Sequence, residues 1–273
     1  MSAFTDKEFS ISLGTPLRLY EFSREHQVWR YTNADHEIVF YEQAYLPIPI
    51  ADDGIRQTGQ TAADTLTLTA PDDLPVVKLF AGHPPSAEIW LTIRDTHFGL
   101  PGEPDSALVV WIGICQSVRW TRPGEVEITC TSISASMGRM GLRLTYERSC
   151  PHCLFDSSCR VSRLSWESGT HITALDGASI TVANLPNNYY PGGAIRWGAA
   201  DSIVEHRAIE ARDGLRLTLL SGTAGLMVGQ SIVVTPGCNQ TSAMCDDIYN
   251  NLLNYGGFRH MPGVSPFEAM LFY

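Results

Sequence analysis

Four cysteines at the two ends of the C-terminal half offer the most definite chemistry in this chain. Cys150 and Cys159 sit in the stretch Tyr146–Cys159, with Cys153 between them, and Cys238 and Cys245 sit in Gly237–Cys245. Thiols clustered this way, far apart in sequence, meet at a metal centre or in disulfides. The N-terminus has no charged region followed by an apolar one, so no signal peptide is expected and the chain is read as made in a reducing cytoplasm. Seven cysteines, an odd count, also fit a disulfide framework poorly. Both points move the clustered thiols toward metal. Structural zinc sites commonly use two short knuckles, and only Cys150 and Cys153 have that spacing. The wider Cys150–Cys159 and Cys238–Cys245 loops suit a bulkier iron–sulfur cluster, so spacing leaves zinc and iron–sulfur both open.

The elements that must position these thiols read as mostly β. Apolar and β-branched runs at Leu17–Tyr20, Val28–Thr32, Glu37–Tyr41, Asp64–Thr69, Ala87–Arg94, Ala107–Cys115 and Glu125–Cys130 predict strands. Pro/Gly turns separate them, and only Pro75–Phe80 reads as a short helix. Residues 1–145 are therefore expected as an N-terminal β-barrel or sandwich. Cys115 and Cys130 lie within these strands and read as small buried hydrophobes, not ligands.

Residues 146–273 are expected as a second, cysteine-rich domain with one short helix. Strand signals at 171–173, 179–182, 194–197, 203–207, 215–219 and 232–234 predict a small β-barrel, residues 168–235, inserted between the two thiol pairs. After it, Thr241 or Ser242 is placed to cap a helix carrying Met244, Ile248 and Leu252 on one stripe. Cys245 falls in its first turn, where the positive helix end favours a thiolate. Asn254-Tyr255-Gly256-Gly257 is the expected helix stop.

The net charge of −10 argues against nucleic-acid binding, because phosphate contacts need clustered Lys and Arg. Arg139, Arg143, Arg148, Arg160 and Arg163 are too sparse to reverse that. No run of about 18 apolar residues occurs, so no membrane span is expected. The sequence holds no His-Glu-x-x-His, Gly-x-Ser-x-Gly or Walker pattern, and no catalytic site is assigned.

The stretch Tyr146–Phe155 through Cys159 resembles the cysteine-rich signature of a tailed-phage tail-tip hub family. Gly237-Cys238-Asn239-Gln240-Thr241, Cys245, Asn250-Asn251 and Asn254–Gly263 resemble the closing motif of that family, and Tyr31-Thr32 and Tyr45–Ile48 fit it more loosely. The family includes hub proteins of gene transfer agents and is related to the lambda-type tail-tip protein that binds an iron–sulfur cluster. The resemblance implies a non-enzymatic virion protein, a hub subunit linking the end of the tail tube to the central fibre. It implies a 4Fe–4S cluster held by Cys150, Cys159, Cys238 and Cys245, with zinc as the alternative metal. Cys153 departs from the family pattern and is then a spare buried thiol or a competitor of Cys150 for the metal, and His152 either a donor to a ligand thiolate or a packing residue. A zinc-stapled interaction module and an iron–sulfur redox protein are the other readings. Expected partners are other tail proteins (the distal tail ring, the central fibre or tail-tip protein) and two further copies in a homotrimer, assembled in the host bacterial cytoplasm. The apolar C-terminus, Pro266–Tyr273, is expected to dock on such a neighbour.

Overall fold

The computed structural model describes residues 3–12, 14–56, 65–100, 106–138, 146–198 and 203–262. Pro266–Tyr273, expected to dock on a neighbour, and Arg139 and Arg143 of the sparse basic run lie outside these residues. The chain divides into two compact units, Met1–Met140 and Gly141–Tyr273, and is mostly β.

In the first unit a short helix, α1 (Ala3–Glu8), precedes β1 (Pro16–Arg24), β2 (Gln27–Thr32), β3 (Ile38–Phe40), β4 (Gln43–Pro47), β5 (Ala51–Asp52) and β6 (Thr65–Pro71). Then follow α2 (Pro75–Lys78), β7 (Ile89–His97), β8 (Ala107–Arg122) and β9 (Glu125–Ser132). The described strands make one nine-stranded sheet in the order β3-β4-β2-β1-β7-β8-β9-β6-β5. Alternation decides its faces: Leu66, Leu68 and Ala70 of β6 are buried with Ile89, Leu91 and Ile93 of β7 and Val126 and Ile128 of β9, while the intervening threonines are not. Pro75 opens α2, where its missing N–H costs nothing, and Val76 and Val77 enter the same core.

A polar knot stitches β5 to the sheet. Arg18 bonds both Asp52 and Asp95, and the Tyr20 hydroxyl donates to Asp52 at 2.7 Å. Burial pushes the Asp52 carboxyl up, but the Arg18 and Tyr20 bonds outweigh it and hold the group below its ordinary value. A depressed carboxylate stabilises the fold above the unfolded-state value of about 4 and loses that contribution as pH falls through the lower folded value. Asp52→Asn is expected to cost about 1–3 kcal/mol at neutral pH. It should also flatten the acid side of the stability curve, followed by denaturant midpoints from neutral pH down through the carboxylate range.

In the second unit, β10 (Ser168–Asp176), β11 (Ser179–Val182), β12 (Ala194–Gly198), β13 (Val204–Asp213), β14 (Arg216–Leu219) and β15 (Ser231–Thr235) close into a barrel in the order β10-β11-β14-β13-β12-β15. This is the small inserted barrel that the strand spacing predicts. Ile172, Ile180, Ile195, Ile209, Leu217 and Val234 fill it. α3 (Ser242–Asp247) is shorter than the apolar stripe predicts. Thr241 caps it by accepting the Met244 N–H at 3.3 Å, but the chain leaves the helix at Ile248, and Asn250 adopts left-handed backbone, φ 46°. Asparagine tolerates that conformation, so the stop comes well before Gly256.

Candidate metal centre

The barrel brings its two flanks together. Cys150 and Cys159 from the N-terminal flank and Cys238 and Cys245 from the C-terminal flank line one small cavity, with Tyr249 and Asn251 on its wall. Cys153, three residues from Cys150, is exposed and not the buried spare thiol expected, and it lies outside that lining.

Local chemistry explains why each loop holds its shape. Asp156 accepts N–H bonds from Cys153, Ser158 and Cys159, a turn built by one carboxylate. Its carboxyl sits below the ordinary value, first through the Cys159 bond. Phe155, Arg160 and Gln240 all take left-handed backbone, which ordinary loops avoid, so these loops are held by their neighbours. The Cys150 N–H bonds the Gln240 carbonyl at 2.9 Å, and the Tyr255 hydroxyl reaches the Gln240 carbonyl at 3.3 Å and also bonds the Arg148 carbonyl. Phe258 closes the bundle, its N–H on the Glu147 carbonyl at 2.9 Å and its ring against Tyr146 at 4.0 Å.

Close approach marks both glycines of the closing motif, and backbone atoms require it at Gly257. A Cβ on Gly256 would fall 2.3 Å from Nε2 of His152, and one on Gly257 2.4 Å from the Arg148 carbonyl. Gly257 lies flat on the backbone of the Cys150 loop, where no side chain fits, whereas a methyl on Gly256 meets only the His152 ring, which can turn. The His152 ring therefore packs on Gly256 while lining the cavity.

Three thiols receive N–H donors. The Gln240 N–H points at Cys238 Sγ at 3.3 Å, the Gly256 N–H at Cys150 Sγ at 3.4 Å, and the Asn251 amide at Cys159 Sγ at 3.7 Å. The fourth, Cys245, donates to the Asn251 carbonyl at 3.3 Å, as a protonated thiol does. Asn251 thus touches both flanks, its amide also bonding the Cys159 carbonyl at 2.6 Å. Asn251 falls in the closing motif but its sequence carries no sign of a positioning role, and Asp156 is one polar residue in a loop with no periodicity to mark it.

At Cys245 the helix end that favours a thiolate is opposed. Burial, then Cys150, Cys159, Cys238 and Asp246, push its thiol up to about 11. Burial likewise raises Cys238, with Cys150 and Cys159 adding to it. Four such groups ionise together only around a cation.

Among the described residues, no three His, Cys, Asp or Glu side chains are arranged to hold a metal ion by themselves. The donor set, all sulfur with N–H bonds to three of its members, suits a thiolate-bound metal, zinc or iron–sulfur.

A family model described as "Baseplate hub protein, N-terminal attachment domain" matches residues 17–162, and one described as "Phage conserved hypothetical protein BR0599" matches residues 188–264. An uncharacterized protein of Xylella fastidiosa (strain 9a5c) is 27% identical over 197 residues, 68% of this chain and 39% of that protein. The chain thus spans about two fifths of the length of the curated relative it matches. A chain in the solved virion of a native gene transfer agent particle has the same fold, with TM-score 0.75 over 99% of this chain and 95% of that one, at 19% identity.

Proposed function

The chain belongs to the baseplate hub protein family, and from that premise we propose that it is a structural component of a phage-type tail, cross-linked internally by a 4Fe–4S cluster. The observation that carries the cluster is four thiols from the two flanks of a barrel converging on one cavity with N–H donors already aimed at three sulfurs. When bound, the cluster supplies four metal–thiolate links that tie residues 146–162 to residues 237–258. The residues of this chain do the rest. Asp156 sets the Cys159 turn, Asn251 joins both flanks, and Gly256 presents its N–H to Cys150. Linking segments so far apart restricts the unfolded chain as a covalent staple does. The wide Cys150–Cys159 and Cys238–Cys245 loops support a cluster over zinc, and the web of backbone bonds around them supports a structural role over an exposed redox site.

In this reading the chain sits at the tail tip as a hub subunit between tube end and central fibre. Three copies, closing head to tail, would form the ring. Its neighbours are the distal tail ring and the central fibre or tail-tip protein. Assembly takes place in the host bacterial cytoplasm, and no contact with nucleic acid is involved. No helix among the described residues is long and apolar enough to cross a membrane. The test is a deletion of this chain's reading frame from a producing strain. Particles should lose a density at the tail tip and infectivity with it, both restored by the gene in trans. Infectious particles of unchanged protein composition would overturn the assignment.

A further inference from the structure

Cys115 and Cys130 take no part in the centre described above and belong to the first unit. They are direct cross-strand partners on β8 and β9, and their sulfurs lie 3.4 Å apart. Opposed residues of an antiparallel pair have Cα atoms about 4.5–5.5 Å apart, inside the window of about 4.4–6.8 Å that a disulfide spans. Small χ1 rotations can bring these sulfurs to bonding distance without moving the strands. Both thiols are buried, Cys130 fully, while Cys115 keeps 6% exposure and lines a cavity of about 490 Å³ beside Trp90, Ile114 and Ser132.

The geometry points to an oxidation site: Cys115 and Cys130 form a cross-strand disulfide when a low-molecular-mass disulfide enters the cavity at Cys115. Chemistry orders the steps. Cys130 donates to Cys115, and this bond together with burial holds the Cys130 thiol well above its ordinary value, so Cys115 reacts first. Its thiolate attacks one sulfur of the small disulfide, forming a mixed disulfide and releasing one small thiol. Cys130 then loses its proton and attacks the Cys115 sulfur, and the second small thiol leaves. The protein gives up two electrons and two protons, and the small disulfide is reduced to two thiols.

The position gives the link a consequence. The β7 ladder ends at the Ile89–Cys115 pair, and from Ser117 to Arg122 β8 pairs only with β9. A crosslink there pins the root of the hairpin that carries the exposed Arg119, Trp120 and Arg122. A particle that leaves a reducing cytoplasm would be locked on exit. That biological timing rests on the tail reading, whereas the crosslink does not.

The test uses the full chain, purified anaerobically under reductant, freed of it and incubated with excess glutathione disulfide before alkylation and non-reducing peptide mapping. Most chains should show the Cys115 and Cys130 peptides joined, and the link should vanish on reduction. Cys130→Ala should stop at the mixed disulfide, with glutathione retained on Cys115, and Cys115→Ala should leave Cys130 alkylatable. Exposed Cys153 reports that the oxidant was active. Wild-type protein with glutathione on Cys153 and both Cys115 and Cys130 still alkylatable would overturn the proposal, whatever the variants do. Cys115 or Cys130 joined to any other cysteine would overturn it equally.

Discussion

Serine at any one of Cys150, Cys159, Cys238 or Cys245 is expected to strip the chain of bound metal, while serine at Cys153 leaves it in place. The four lining thiols share one cavity, so each is a separate anchor, and an alcohol does not ionise to replace a thiolate. Losing one anchor also removes a tie between the flanks. By analogy with a native disulfide the second unit should lose about 2–5 kcal/mol, seen as lower solubility and an earlier melting transition. Cys115→Ser and Cys130→Ser should keep full metal content and cost only about 1–3 kcal/mol for a buried hydroxyl without a good partner. Metal per chain, measured on anaerobically purified variants, decides the matter. Full metal in Cys150→Ser together with none in Cys153→Ser would show that the wrong thiol of that loop is named.

Gly237→Ala should be nearly as damaging, although it removes no ligand. A Cβ there would lie 1.9 Å from the Pro191 carbonyl oxygen and 2.5 Å from the Gly193 nitrogen, both backbone atoms with little room to retreat. The Gly237 N–H bonds Tyr189 at 2.8 Å, and its carbonyl accepts the Tyr249 hydroxyl at 2.7 Å, so any retreat drags Cys238 and α3 with it. Overpacking of this kind costs about 3 kcal/mol or more, and metal content should fall with it. Gly169→Ala, with no heavy atom within 4 Å of the added methyl and no left-handed backbone, is the matched control, expected to change stability by under about 1 kcal/mol. Equal melting temperatures for the two variants would contradict the close-approach argument.

Much of this fold is legible in the sequence because alternation is a strong signal wherever one face of a sheet is buried. The Leu66–Leu68–Ala70 and Val126–Ile128–Cys130 series show their core faces directly. β5 has only two residues, β4 buries Tyr45 alone, and the last third of β8 is exposed, so no pattern marks them. The pairing of Cys115 with Cys130 is hidden for a different reason. Counting back from the Pro123-Gly124 turn sets Ser117 opposite Cys130, and only bulges at Trp120/Arg122 and Cys115/Ser117 bring Cys115 into that place. At the candidate metal centre the thiols and glycines are visible as types and spacings. The work of Asp156 and Asn251 is not, since it consists of bonds between segments on opposite sides of a barrel.

The central claim, that four thiols hold an iron–sulfur cluster which staples the second unit, is tested most directly by elemental analysis. Protein made under iron-replete conditions and purified without oxygen should be brown, with about four irons and about four acid-labile sulfides per chain and little zinc. Stoichiometric zinc, with negligible iron and no labile sulfide in the same preparation, would contradict it.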